Sequence, residues 1–364
     1  MSTLRIAITV DPYIPVPPTL YGGLERVVDF VARGLLARGH QVVLLAHPDS
    51  RTAGTLIPYG VPPHFGWRPR LTELWQVGHQ LWARRHEVDV VLSWGRLAAL
   101  IPILPLRGLP KIQRYCREDK VPWDSVKTAV RLAGESICFV GASTNVYREW
   151  GKHGRRGGRW LTIFEGVDLS KYSFVPAVGS DAPLVFLGGL IAAKSVHSAI
   201  AIAKRAGKRL TIAGNRVQTR SGMEYFQNQI APHLDGDQIR WIGPVDDKQK
   251  DALLGNAAAL LMPTDCEDAF GIVIAEAMAC GTPAIAFARG GIPEVVRHGV
   301  TGFVCRTVEE AAEAVGQLGQ IDRAAARADC EARFGDQVIV DAFERLCREM
   351  VRAQSVTNQP SFSA

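Results

Sequence analysis

The stretch TDCEDAFGIVIAEAMACGTPAIAF, residues 264 to 287, is almost wholly apolar from Ala269 onward, yet it holds one carboxylate, Glu276. Glutamate is among the side chains least often buried without a partner. Two chemistries suit it here. Glu276 is either a core carboxylate bonded to protein or a hydrogen-bond acceptor for a ligand. The run is long enough to suggest a membrane span, but the charge would cost several kcal/mol in lipid, and Gly281-Thr282-Pro283 would interrupt the helix. It parses instead as a helix over 271 to 280 followed by the buried strand 283 to 287.

Three glycine pairs lie at strand-to-helix turns: Gly22-Gly23, Gly188-Gly189 and Gly290-Gly291. Paired glycines at a helix start let backbone N–H groups approach an anion, and the helix dipole adds to the attraction. Lys194 follows the second pair, just before the next helix, where its ammonium could meet a diphosphate. Singly, each pair is a turn before it is a site. None forms a GxGxxG or a Walker loop.

Strand and helix patterns alternate along almost the whole chain, which implies parallel sheets covered by helices. The first series has strands at 4–10, 41–46, 88–93, 111–115, 136–141 and 160–164. The polar segment PAVGSDAP, 176 to 183, reads as a linker. A second series follows, with strands at 184–187, 209–213, 239–241, 259–262 and 283–287 and helices at 196–206, 222–233, 247–256, 271–280 and 292–298. The expected domains are 1–176 and 182–334, with a closing helix at 335–353 returning toward the first domain and a frayed tail at 354–364. Ligands of such sheets bind at the C-terminal ends of the strands.

The 364 residues carry a net charge of +6 and a 47% hydrophobic content, which fits a globular pair of domains with polyanionic partners. Seven scattered cysteines and nine histidines show no metal-ligand spacing, so no metal site is expected. An odd set of scattered thiols and an N-terminus that reads as a strand suit a cytoplasmic protein. The basic stretch GKHGRRGGRW, 151 to 160, reads as a solvated loop, with an anionic partner as the alternative. Leu71, Leu74, Trp75, Leu81 and Trp82 stand at helical spacing beside Arg84 and Arg85. Such a stripe is usually core, but it also suits a helix lying at a membrane surface.

Taken in order, YGGLERVVDFVARGLLARGHQVVLLA, FLGGLIAAK and EDAFGIVIAEAMACGTPAIAFARGGIPEVVRHGVTGFV resemble the retaining GT-B glycosyltransferases of family 4. The resemblance covers nearly the full chain. It implies an α/β GT-B fold, two Rossmann-like domains facing across a cleft, and transfer of a sugar from a nucleotide-sugar donor. In that family two Glu residues, separated by seven others, flank a Phe-Gly pair. The second falls here on Glu276, implied to accept from the donor ribose, and the pair falls on Phe270-Gly271. The first falls on Asp268, implied to contact the donor sugar near the reacting carbon. Lys194 matches the family's diphosphate lysine, Gly188 and Gly189 its second glycine turn, and Gly22 and Gly23 its N-terminal loop.

The departures are also specific. Gly189 replaces the family's arginine, so a diphosphate cation is missing unless Arg216 or another residue supplies it. Leu92, Ser93 and Trp94 stand where histidines are often seen, Arg117 stands where a His is expected, and Phe164-Glu165 replaces Pro-Asn. The expected partners are a nucleotide-sugar and a glycan, lipid or small-molecule acceptor, with peripheral membrane contact as an option and no nucleic acid. No cofactor is expected. Two rivals stand beside the transferase: a same-fold UDP-sugar 2-epimerase, and a catalytically silent nucleotide-sugar-binding partner of another transferase.

Overall fold

A computed structural model describes residues 2–19, 22–60, 67–116, 121–148 and 157–357. The chain folds as two compact units. Unit 1 comprises residues 1–164 with 336–364, and unit 2 comprises 165–335.

Unit 1 is built on a seven-stranded sheet in the order β3-β2-β1-β4-β5-β6-β7. Its strands are β1 (Arg5–Thr9), β2 (Gln41–Ala46), β3 (Thr55–Pro58), β4 (Val90–Ser93), β5 (Lys111–Tyr115), β6 (Ile137–Gly141) and β7 (Arg159–Thr162). All pairings are parallel, with Ile6 opposite both Val42 and Val90. Strands covered on both faces read as continuous apolar runs, which is why VVLL and VVL were legible in the sequence. Helix α1 (Gly23–Ala37) lays Val27, Val28, Val31 and Leu35 on the sheet. Two further helices, α2 (Trp67–Ala83) and α3 (Trp123–Ala133), complete the first half of the chain.

Unit 2 has six parallel strands in the order β10-β9-β8-β11-β12-β13. They are β8 (Leu184–Leu187), β9 (Leu210–Ala213), β10 (Ile239–Trp241), β11 (Ala259–Met262), β12 (Ala284–Phe287) and β13 (Gly302–Cys305). The covering helices are α4 (Val196–Arg205), α5 (Arg220–Tyr225), α6 (Asp247–Gly255), α7 (Ile272–Ala279), α8 (Ile292–Val295), α9 (Val308–Gly316) and α10 (Arg323–Phe334). Strands β3 and β13 and helices α3, α9 and α10 were not anticipated. The two strands are four residues long, and α10, RAAARADCEARF, offers alanine and charge rather than an apolar stripe. The helix expected over 222–233 is a short α-helix that passes through a π-turn at Phe226–Ile230 into a 3₁₀ turn at Ala231–His233. Pro232, which lacks an N–H, is the local reason for the break.

The domain boundaries differ from those read in the sequence. The chain changes unit at Phe164/Glu165, not at 176–183. Residues 165 to 175 belong to unit 2 because they are bonded into it. Val167 donates to Phe334 O at 2.9 Å, Ser173 Oγ donates to Asp251 at 2.9 Å, and Val175 donates to Cys280 O at 3.0 Å. Helix α11 (Asp336–Thr357) belongs to unit 1. It packs on α1 where Gly34 leaves room for Val340, since a Cβ at Gly34 would lie 2.6 Å from Val340 Cγ2. Burial would raise the Glu344 carboxyl, but hydrogen bonds from Arg38, Arg348 and His40 outweigh it and hold it down at about 2. The helix extends through Thr357, so the tail begins later than residue 354. Most of the basic loop 151–160, with Tyr21 and Arg117, lies outside the described residues.

Candidate functional site

Each sheet reverses its strand order once at the centre, between β1 and β4 in unit 1 and between β8 and β11 in unit 2. Turns leaving neighbouring strands in opposite directions open a crevice there, where open α/β sheets bind ligands.

In unit 2, the turn after β8 carries Gly188, Gly189 and Lys194, and the turn after β11 carries Asp268, Phe270 and Gly271. Their meeting is built from backbone. The Ala193 carbonyl accepts from Thr264 Oγ1 at 2.9 Å, Asp265 N at 3.2 Å and Cys266 N at 3.3 Å. Ser195, in the left-handed region at φ 51°, donates its hydroxyl to Asp265 at 2.6 Å. This knot holds the Lys194 ammonium against Asp268 Oδ2. The other oxygen, Oδ1, accepts from Gly271 N at 2.9 Å and Phe270 N at 3.3 Å, at the start of α7. The side chain one methylene shorter than Glu is thus shared between a lysine and a helix N-terminus, both electropositive.

The third glycine pair serves the same residue. Gly291 N donates to Asp268 O at 2.7 Å, and Gly290 N donates to Glu267 Oε2 at 2.6 Å. Gly290 has φ 55°, and a Cβ there would lie 2.2 Å from Asp268 O, so only glycine allows this approach. Gly188 N donates to Ala213 O at 3.0 Å, and Leu190 pairs with Arg216 in an isolated bridge. The Arg216 guanidinium lies 5.3 Å over the Phe226 ring, and its buried Nε has no hydrogen-bond partner among the described residues. A Cβ at Gly189 would meet nothing within 4 Å.

Two expected residues sit differently from the sequence reading. The Phe270 ring is 2% exposed and packs edge-on against Phe334 at 5.1 Å, so this residue serves the turn through its backbone. Glu276, on α7, is 4% exposed and already has protein partners. Its Oε1 accepts from Lys250 Nζ at 2.5 Å and from Tyr172 OH at 2.8 Å, while Oε2 has no hydrogen-bond partner among the described residues. Of the two readings left open for Glu276, the bond to protein is the one seen, and it is made at Oε1. Lys250 and Tyr172 were missed because they lie 26 and 104 residues from Glu276, and no local spacing announces them.

In unit 1, Gly22 caps α1 at φ 144°, and Gly23 begins the helix. A Cβ at Gly22 would lie 2.7 Å from Pro18 Cβ and 2.9 Å from Glu25 Oε2. Glu25 thus brings its own carboxylate to the glycine turn, and burial raises that carboxyl from 4.5 to about 6. Asp11, after β1, is likewise raised by burial, against the pull of Arg96. Arg96, after β4, lies 3.6 Å from Asp11 and 3.8 Å from Glu73 of α2, and Glu73 accepts from Tyr13 OH at 3.0 Å. None of Asp11, Glu25, Glu73 or Arg96 was singled out in the sequence. The motif SWGRLAA was read only as far as Trp94, two residues short of Arg96.

Two family models match the chain: Glycosyl transferases group 1 over residues 174–333, and Glycosyltransferase Family 4 over residues 21–118. The chain is 27% identical to the glycogen synthase of Mycobacterium tuberculosis over 391 aligned positions, covering 90% of this chain and 89% of that one. Sucrose-phosphate synthase from Thermosynechococcus elongatus matches at a TM-score of 0.77 and 19% identity, over 96% of this chain and 100% of that one. HepE from Anabaena, solved in complex with UDP-glucose, matches at a TM-score of 0.73 and 18% identity, over 95% and 100% of the two chains. At these identities the solved structures speak to the fold, two Rossmann-like parallel-sheet units of the GT-B type.

Proposed function

Because the chain belongs to the group 1, family 4 glycosyltransferases of GT-B fold, we propose that it moves a hexosyl unit from a nucleotide-sugar to an acceptor with retention of anomeric configuration. The observation that carries this reading is the meeting of Lys194 and Asp268 at the strand-order reversal of unit 2. A donor diphosphate entering there draws the Lys194 ammonium to itself, and the Gly189 N–H is offered to the same anion, the Gly188 N–H being bonded to Ala213 O. Asp268 then exchanges a lysine for the donor sugar. Gly271 keeps its carboxylate in place throughout, by the 2.9 Å bond at the start of α7. Positioning and neutralisation of the leaving diphosphate supply most of the catalysis. Glu276 Oε2 receives a ribose hydroxyl while Oε1 stays with Lys250 and Tyr172.

The donor binds to unit 2 and the acceptor to unit 1. Asp11, Glu25, Glu73 and Arg96 form a polar set suited to an acceptor rich in hydroxyls, in glycan, glycolipid or glycosylated-metabolite synthesis. UDP-sugars are the first donors to try, because the HepE neighbour was solved with UDP-glucose. We place the protein in the cytoplasm.

One observation favours a second reading. Both Asp268 oxygens are engaged by protein groups, and Gly189 stands where the family has an arginine. A silent nucleotide-sugar-binding partner would be built this way too. Thermal melting against UDP-, GDP-, ADP- and dTDP-sugars separates the possibilities, since a ligand at 100 times its Kd adds about 2.7 kcal/mol. The stabilising donor should then release nucleoside diphosphate slowly in water and faster with acceptor, and NMR of the product reports the anomeric configuration. Tight binding with no release under any condition selects the silent partner, and an inverted product removes retention.

A further inference from the structure

We propose that unit 1 docks on an anionic lipid surface through the solvent face of α2. This inference rests on the surface of unit 1 and not on the glycosyl-transfer reading. The inner side of the helix is buried, with Glu73, Val77 and Leu81 each 2% exposed or less. The outer side is not. Leu71 is 57% exposed, Trp75 67% and Trp82 42%. At 3.6 residues per turn these three fall within about 40° of one another, so they form one stripe. Gly78, at the edge of that stripe, is where the segment 97–103 comes against α2. A Cβ at Gly78 would lie 2.9 Å from Pro102 Cγ and 3.2 Å from Ala99 O. Ile101, the chain neighbour of Pro102, is 57% exposed and extends the apolar surface. Large aromatic side chains normally supply core energy, and a grouped set left in water marks an interaction surface.

Charge selects the occupant. Arg85 flanks the stripe, while Arg70 and Arg84 lie about 100° or more from it around the helix, Arg84 bonded to Gln80. The carboxylate among residues 70–86, Glu73, is turned inward at 1% exposure and accepts from Tyr13. Glu87 follows, 3.9 Å from Arg84. The Arg85 guanidinium lies 4.5 Å over the Trp82 ring, and Trp75 stacks on His79 at 5.2 Å. Tryptophans that sit at the headgroup level beside arginines that reach phosphate are the chemistry of an interfacial helix. A second copy of this chain, itself at +6, would bring arginine toward like charge, whereas anionic headgroups neutralise it. Among the described residues no helix is long and apolar enough to cross a membrane, so the contact is peripheral.

The test is flotation of the full chain with vesicles of phosphatidylcholine alone or mixed with phosphatidylglycerol, at low and high salt. The chain should float with the mixed vesicles, less so at high salt, and not with phosphatidylcholine alone. Trp75→Ala with Trp82→Ala should lower partitioning by about tenfold or more. Arg85→Gln should lower it by about fivefold at low salt, the size of one basic charge near the surface. Circular dichroism checks that the variants fold, and their donor hydrolysis in solution should stay unchanged, which separates the surface from the reaction. The proposal is overturned by a wild-type chain that floats with neither vesicle or equally with both. It is also overturned by tryptophan variants that float like wild type. A dimer that the tryptophan changes dissolve, without vesicle binding, would make the stripe a contact between copies instead.

Discussion

The two strand-order reversals share a topology and differ in chemistry. At the unit 2 reversal the Asp268 carboxylate is met by electropositive groups, the Lys194 ammonium and the amides at the start of α7. At the unit 1 reversal the pattern is turned around: Asp11 and Glu73 lie by Arg96, and Glu25 feels Asp11 as well as Arg26. Pre-arranged cations suit a diphosphate, whereas a set of carboxylates repels one and suits hydroxyl donors. The same sheet order can therefore host opposite halves of a reaction, and the side chains at the turns decide which.

The comparison breaks most readily at Asp268. Asp268→Asn preserves shape and the bond from Gly271, yet should lower turnover by about 10²–10³-fold, the range seen when a preorganised electrostatic group is lost. Nucleoside diphosphate affinity should change far less, because the proposed partner is the sugar. Steady-state kinetics beside calorimetry with the free diphosphate make the distinction. Equal losses in both would return Asp268 to a purely structural role.

Glu276 comes next, since the proposal gives its two oxygens separate duties. A hydrogen bond to a charged group contributes about 1.5–3 kcal/mol, so Glu276→Gln should weaken nucleotide binding by at least about tenfold. The change also leaves the Lys250 ammonium without its counter-charge in a buried place, and the fold should lose stability. Adding Lys250→Met removes that second effect. If the double variant recovers both its melting temperature and full nucleotide affinity, Glu276 holds α6 to α7 and nothing more.

A smaller effect is expected at the second cation of the donor side. Arg216→Ala should raise the donor KM by about fivefold to tenfold, the size of one solvent-accessible charged contact. Gly189→Arg in that background should restore it, because the space around Gly189 is open. Kinetics that ignore Arg216, or that Gly189→Arg worsens, would leave Lys194 as the sole side-chain cation assigned to the diphosphate.

The effect at Glu25 is read in stability rather than in activity. Burial raises its carboxyl from 4.5 to about 6, so the folded state holds the proton more tightly than the unfolded chain. The resulting stability is fully present below 4.5 and is lost as pH rises through about 6, an amount on the order of 2 kcal/mol. Glu25→Gln should therefore gain on wild type in urea unfolding at pH 7.5 relative to pH 4.5. Identical pH profiles would place the Glu25 carboxylate in water and reopen the Gly22 turn to an anion.

Much of the fold was legible because its signals are short-range. VVLL, LVFL, ALLM and AIAF are buried strands on both faces, and paired glycines mark the turns that follow strands. Lys194 and Glu276 could be picked out for the same reason, as charges beside a glycine turn or within an apolar run, whereas Asp268 was pointed to only by the family resemblance. Elements such as α10 escaped because alanine and charge carry no periodic contrast, and their burial is conferred by neighbours. The unit boundary escaped because composition marks where a chain is polar, not where it is bonded.

Local pattern was thus sufficient for most strands and for the glycine turns that follow them. Partnership was not in that pattern. Lys194 reaches Asp268 across 74 residues, and Tyr172 reaches Glu276 across 104. Arg96 gathers Asp11 and Glu73 from separate elements. Which oxygen of a carboxylate is occupied, and by what, depends on packing between elements distant in the chain, and only the folded arrangement brings those elements together.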